Sequence, residues 1–167
     1  MRTYTGLLLY RDPARAYSFF VPVEWRRLEL ETTAASGVMF APDPENPLTS
    51  FSVEGEDLGL TVTAADLPSL KRGFLAGLRK FPRSVIESSE AEAIGAVLTM
   101  EARHTFRQDG VTRKRWARLI YRDSLQVRLV GQAATVEQFD YWLPVFFQTI
   151  RTFRLGDWAA EAPQGGN

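Results

Sequence analysis

Between residues 98 and 106 apolar and polar side chains alternate. Leu98, Met100, Ala102, His104 and Phe106 share one parity, and Thr99, Glu101, Arg103, Thr105 and Arg107 take the other. A period of two marks a strand with one face toward a core. Asp109-Gly110 follows, a pair that accepts the positive φ of a tight primed turn, so the chain is expected to fold straight back. Residues 115–122 form the return strand, with Ala117, Leu119 and Tyr121 inward. Asp123-Ser124 turns the chain again, and Leu125, Val127 and Leu129 are expected to continue that core face. Trp116, Ile120 and Val130 have the opposite parity. With apolar residues on both sides, this sheet is predicted to be partly covered on both faces.

Upstream, residues 6–10 read as a first strand that stops at Asp12-Pro13, because proline lacks an N–H and restrains its predecessor. Residues 17–21 are a second, aromatic strand running into Pro22, with Trp25 as an aromatic plug at one end of the core. Short strands are expected at 28–31 and 38–41, with a turn around Ser36-Gly37. Pro42, Pro44 and Pro47 forbid ladder pairing in a stiff loop, and 51–53 resumes strand character. Residues 85–87 are one more short candidate strand.

Two segments have the helical period. In 63–81, Leu67, Leu70, Phe74, Leu78 and Phe81 make one apolar stripe, and Lys71, Arg72, Arg79 and Lys80 lie mostly off it. Thr63 with Asp66 predicts a capping box, Pro68 suits a first turn, and Pro82 ends the helix. The second helix opens at Thr135, with Gln138 completing another capping box, and buries Phe139, Leu143, Phe146, Ile150 and Phe153. Pro144 is expected to bend it. Strands joined by hairpin-length turns plus two helices predict an α+β fold, with an antiparallel sheet between helical layers. Residues 1–156 are read as one domain and 157–167 as a disordered tail whose start Trp158 anchors.

Composition narrows the function classes. The 167 residues are 45% hydrophobic and 24% charged, with a formal net charge of +0, so overall charge favours neither nucleic acid nor membrane. There is no cysteine and one histidine, which excludes thiolate chemistry and the usual zinc sites. No apolar run approaches the ~20 residues of a membrane helix, and no signal-peptide core is present, so the chain reads as soluble and cytoplasmic. No Gly-rich phosphate loop or nucleophile elbow appears.

The order of elements, together with Tyr17, Ser18, Phe19, Phe20, Val21, Pro22 and Trp25, the 49–53 strand and the Phe146–Phe153 segment, resembles the PsbP-like superfamily. That group includes the photosystem protein PsbP, the Mog-type Ran-binding proteins and bacterial DcrB-like proteins. The resemblance covers roughly residues 8–153. It implies an α/β/α sandwich around a twisted, mostly antiparallel sheet, and it points away from enzymes.

Three functional readings remain open. Between residues 103 and 128 eight basic residues face two acidic ones, Asp109 and Asp123. Strand parity groups Arg103, Arg118 and Arg128 with Trp116 and Ile120. Arginine with tryptophan is a composition enriched in binding hot spots. This predicts a docking face for an acidic protein or an anionic ligand, against the plainer reading of a solvated face neutralised by Glu101 and the acids at 87–92. The second reading is a small-molecule or lipid carrier, with some of the 11 Phe, 4 Trp and 5 Tyr lining a cavity between sheet and helix. The third is a hydrolase built on His104, which requires polar groups converging there. The parity of His104 instead predicts a hydrogen-bonded core histidine. The acids at 43–45 and 54–57 could take a hard cation and are read as solvated loop residues. No cofactor is implied.

Overall fold

The computed structural model describes residues 6–14 and 16–156. Its centre is a seven-stranded sheet with neighbours antiparallel throughout. In chain order its strands are β3 (Arg26–Leu28), β4 (Ser36–Ala41), β5 (Ser50–Asp57), β6 (Val85–Ile94), β7 (Val97–Gln108), β8 (Val111–Arg122) and β9 (Leu125–Ala133). In space the order is β3-β4-β5-β9-β8-β7-β6. A small sheet pairs β1 (Leu7–Arg11), β2 (Tyr17–Pro22) and β10 (Arg154–Leu155) in the order β1-β2-β10. Helix α1 (Leu67–Arg79), entered through a 3-10 turn at Ala64–Asp66, packs on one face of the large sheet. Helix α2 (Val136–Thr152) and strand β2 pack on the other. The α+β architecture is the expected one. The separate three-stranded sheet and the 10-residue strand β6 are not anticipated by the sequence pattern.

The hairpins form where the turn residues allow. Asp109 and Gly110 both have positive φ (52° and 75°), and Gln108 pairs with Val111 across them. Asp123 (φ 55°) begins the second two-residue turn, with Arg122 opposite Leu125. This register corrects the predicted faces. Leu129 stands opposite Arg118, and Arg128 opposite Leu119. Residues opposite one another across an antiparallel pair point to the same side. Leu125, Val127 and Leu129 therefore join Trp116 and Ile120 under α2, whereas Val130 and Arg128 share the α1 face with Ala117, Leu119 and Tyr121. A two-residue turn pairs even positions with odd ones, and a count of parity straight through the turn misses that step.

The α2 face holds the larger core: Tyr17, Phe19, Phe40, Phe51, Trp25 and Phe146 are all buried in it. Trp25 meets Trp142 and Phe146 edge to face at 5.3 and 6.2 Å, the plug its sequence position suggests. Gly131 lets α2 approach closely, since a Cβ there would lie 2.9 Å from the Phe146 ring. Thr135 caps α2 by accepting from the Gln138 N–H at 3.1 Å, and the helix runs on through Pro144. The Gln138 side chain turns instead to accept from the Thr49 hydroxyl. At the start of α1 the Asp66 carboxylate accepts from the Thr63 N–H at 2.8 Å. The tail assigned to 157–167, with Trp158, lies outside the described residues.

Candidate docking surface

Helix α1 covers only part of its face of the sheet. Leu67, Leu70 and Phe74 pack on Leu98, Met100, Leu119 and Tyr121, near the β6–β7 edge. Beyond β8 the floor stays open. Register aligns Ala117, Val130, Ser52, Met39 and Leu28 in one row across β8, β9, β5, β4 and β3. All but Ala117 are half-buried, and Arg128 is exposed. A groove of about 400 Å³ runs along the junction, with Leu70, Gly73, Phe74, Gly77, Leu78 and Phe81 on its helix side and Arg115, Ala117, Leu119, Tyr121, Gln126, Arg128 and Val130 on its sheet side. The loop at 58–62 is tied to the Asp123-Ser124 turn by backbone hydrogen bonds.

Two features of this groove invite an occupant. Gly73 and Gly77 lie one turn apart within α1, and a Cβ built on either meets nothing within 4 Å. Glycine inside a helix costs about 1 kcal/mol relative to alanine, and no packing within the described chain calls for these two. The groove also carries two guanidinium groups and no carboxylate in its lining. Arg115 donates to the Gln132 side-chain oxygen and lies over the Phe81 and Phe106 rings at 4.8 and 5.2 Å. Burial, and secondarily the charge of Arg128, lower its pKa to about 10, which leaves it cationic at neutral pH. Glu54 stands opposite Arg128 across the β5–β9 ladder, yet among the described residues neither arginine is in an ion pair.

The residues assigned to a docking face are placed differently. Trp116 is only 4% exposed: it stacks on Phe147 of α2 at 6.3 Å, lies under the Arg103 guanidinium at 4.5 Å, and donates its indole N–H to Glu101 at 2.6 Å. Arg118 pairs with the same Glu101 carboxylate at 3.5 Å. Arg103, Trp116 and Arg118 thus come together in a largely satisfied network beside a cleft of about 200 Å³. Arg128 is on the opposite face, as the β8–β9 register requires.

His104 is fully buried between Phe81 and Phe106, with ring centroids 5.3 and 5.5 Å away. It is a core histidine, but neither ring nitrogen has a hydrogen-bond partner among the described residues, contrary to the sequence expectation. Strand β8 puts the cation Arg115 opposite it and no acid or hydroxyl. Desolvation first, then that cation, depress its pKa to about 4. A neutral imidazole packed between phenyl rings is not placed to serve a nucleophile. Among the described residues no helix is long and apolar enough to cross a membrane.

Apart from Arg128, the groove residues escape a reading of the sequence because their signal is not chemical. Two glycines four apart inside an otherwise well-patterned helix are the available clue.

No protein-family profile and no curated protein matches the sequence. Solved structures do. The solution structure of cyanobacterial PsbP from Synechocystis sp. PCC 6803 superposes with a TM-score of 0.63 at 16% identity, over 93% of this chain and 97% of that one. LpqN of Mycobacterium tuberculosis, described as involved in cell envelope biogenesis, gives 0.60 at 13%, over 90% and 91%. The Ran-binding protein Mog1p of Saccharomyces cerevisiae gives 0.54 at 10%, over 92% and 97%. At such identities the likeness concerns the fold, and over nearly its whole described length this chain has the PsbP-like fold.

Proposed function

We propose that this protein is a non-enzymatic interaction module that docks another protein in the groove beside α1. The observation that carries this reading is the half-covered sheet face, a groove of about 400 Å³ with an apolar floor, two arginines and no acid in its lining. His104, buried and without a hydrogen-bond partner among the described residues, supports a binding role over a hydrolytic one. That Mog1p, similar in fold, is described as a Ran-binding protein supports a protein-binding reading. The network of Arg103, Trp116 and Arg118 serves the fold in this reading and adds at most a rim to the docking surface.

The test is site-specific cross-linking. A photoreactive amino acid is placed at Gly77 in the groove, and in a second variant at Arg103 on the opposite face. A defined adduct from position 77 is expected, its partner then binding the purified wild-type chain. Adducts from position 103 alone would move the docking surface to the predicted Arg/Trp face.

A second reading is favoured by the groove's size and by Phe74, Phe81 and Tyr121 in its lining: carriage of an amphiphilic small molecule. Dodecanoate is a suitable probe. Saturable binding that is lost in Gly73→Leu/Gly77→Leu, with no protein adduct from position 77, would favour the carrier.

A further inference from the structure

The floor and walls of the groove specify the shape and charge of what lies in it. On the basis of the docking reading above, we infer that the occupant is an amphipathic helix of a partner protein, laid alongside α1 across β8, β9 and β5, with an acidic side chain directed at Arg115 and Arg128.

The floor has the right width. Strand spacing of about 4.8 Å puts β4 roughly 14 Å from β8, which accommodates a helix of about 10–12 Å diameter. At the far edge of this open face Leu30 and Thr32 lie over Gly37 of β4, where a Cβ would come within 2.8 Å of Thr32. An extended peptide fits less well. It would gain affinity by pairing with a sheet edge, and the floor here consists of interior strands whose backbone groups are already paired. A helix satisfies its own backbone and needs only side-chain contact below.

The walls give orientation. Gly73 and Gly77 remove the side chains that would hold a neighbouring helix away, as small residues do where helices approach closely. Val130, Met39 and Leu28 offer half-buried apolar surface to the occupant's apolar stripe. Arg115 and Arg128 line the same groove with no acid in that lining, and a carboxylate between them would relieve their like-charge repulsion. Glu54, at the next strand from Arg128, disfavours a second acid deeper in the trough. The occupant's charge is therefore placed at the α1 side.

A displayed library of helical peptides of about four turns tests this, selected on the full chain. Retained sequences are expected to show apolar residues at helical spacing plus one Asp or Glu at a fixed position. Their binding should weaken at least ~10-fold to Gly73→Leu/Gly77→Leu and to Arg128→Glu. Both variants change exposed positions, and circular dichroism confirms that they fold. Retained peptides that need an open groove but show no helical spacing or no acid would overturn the inference and leave protein docking standing. Peptides that bind the filled variant equally well, or no enrichment at all, would overturn the inference, and with cross-linking at position 77 also absent the docking reading falls too.

Discussion

At the scale of single residues, His104 and Glu101 show how interior chemistry serves stability in this chain. His104 remains neutral in the fold down to a pKa of about 4, whereas in the unfolded chain it titrates near 6.5. Below about pH 6.5 the unfolded state therefore binds a proton that the folded state refuses. Stability from this residue is full above that pH, falls as the pH drops toward 4, and levels off below. The loss amounts to about 3 kcal/mol. Urea unfolding at successive pH values should show this slope, and His104→Leu should remove most of it. Glu101 works through its contacts, since one carboxylate serves both the Trp116 indole and Arg118. Glu101→Ala leaves a buried N–H without its acceptor and should cost about 1–3 kcal/mol, read as a lower urea midpoint.

At the scale of elements, the same substitution has opposite signs at different glycines. Gly131→Ala on β9 drives a methyl group into the Phe146 ring at 2.9 Å and should destabilise by about 1–3 kcal/mol, because the α2 core cannot yield without moving the helix. Gly73→Ala and Gly77→Ala meet open space and should each stabilise α1 by about 0.5–1 kcal/mol. Thermal or urea unfolding of the three variants checks both signs. An α1 that gains stability from alanine is a helix that holds glycine for a reason outside its own fold, which is what the groove requires. Elements were also where the sequence was most legible. The period-two run through His104, the Asp109-Gly110 turn and the stripe from Leu67 to Leu78 each follow from local physics. The length of β6 did not, because its ten residues are nearly all exposed and show no apolar alternation. Pairing with β7 makes it a strand, and pairing is a tertiary fact.

At the scale of the whole molecule, one sheet is covered unequally. On one side α2 and β2 seal an aromatic core, and on the other α1 leaves β9 and β5 open. The candidate site was legible only in fragments for that reason. Composition correctly marked residues 103–128 as rich in arginine, and parity placed Arg103 and Arg118 with Trp116. The β8–β9 register then sent Arg128 to the other face, and the packing of Phe147 covered Trp116. The step in parity at the two-residue Asp123-Ser124 turn is local and legible once the turn is counted, whereas the extent of a helix's footprint is not written in one segment. Docking beside α1 is decided by the affinity of the partner identified by cross-linking for two folded variants. Gly73→Leu/Gly77→Leu fills the groove, and Arg103→Glu/Arg118→Glu reverses charge on the opposite face. The expected result is at least a ~10-fold loss for the first and less than about threefold for the second. Retained affinity in the filled variant, with loss in the charge-reversed one, would contradict docking beside α1 and return the surface to the α2 side of the sheet.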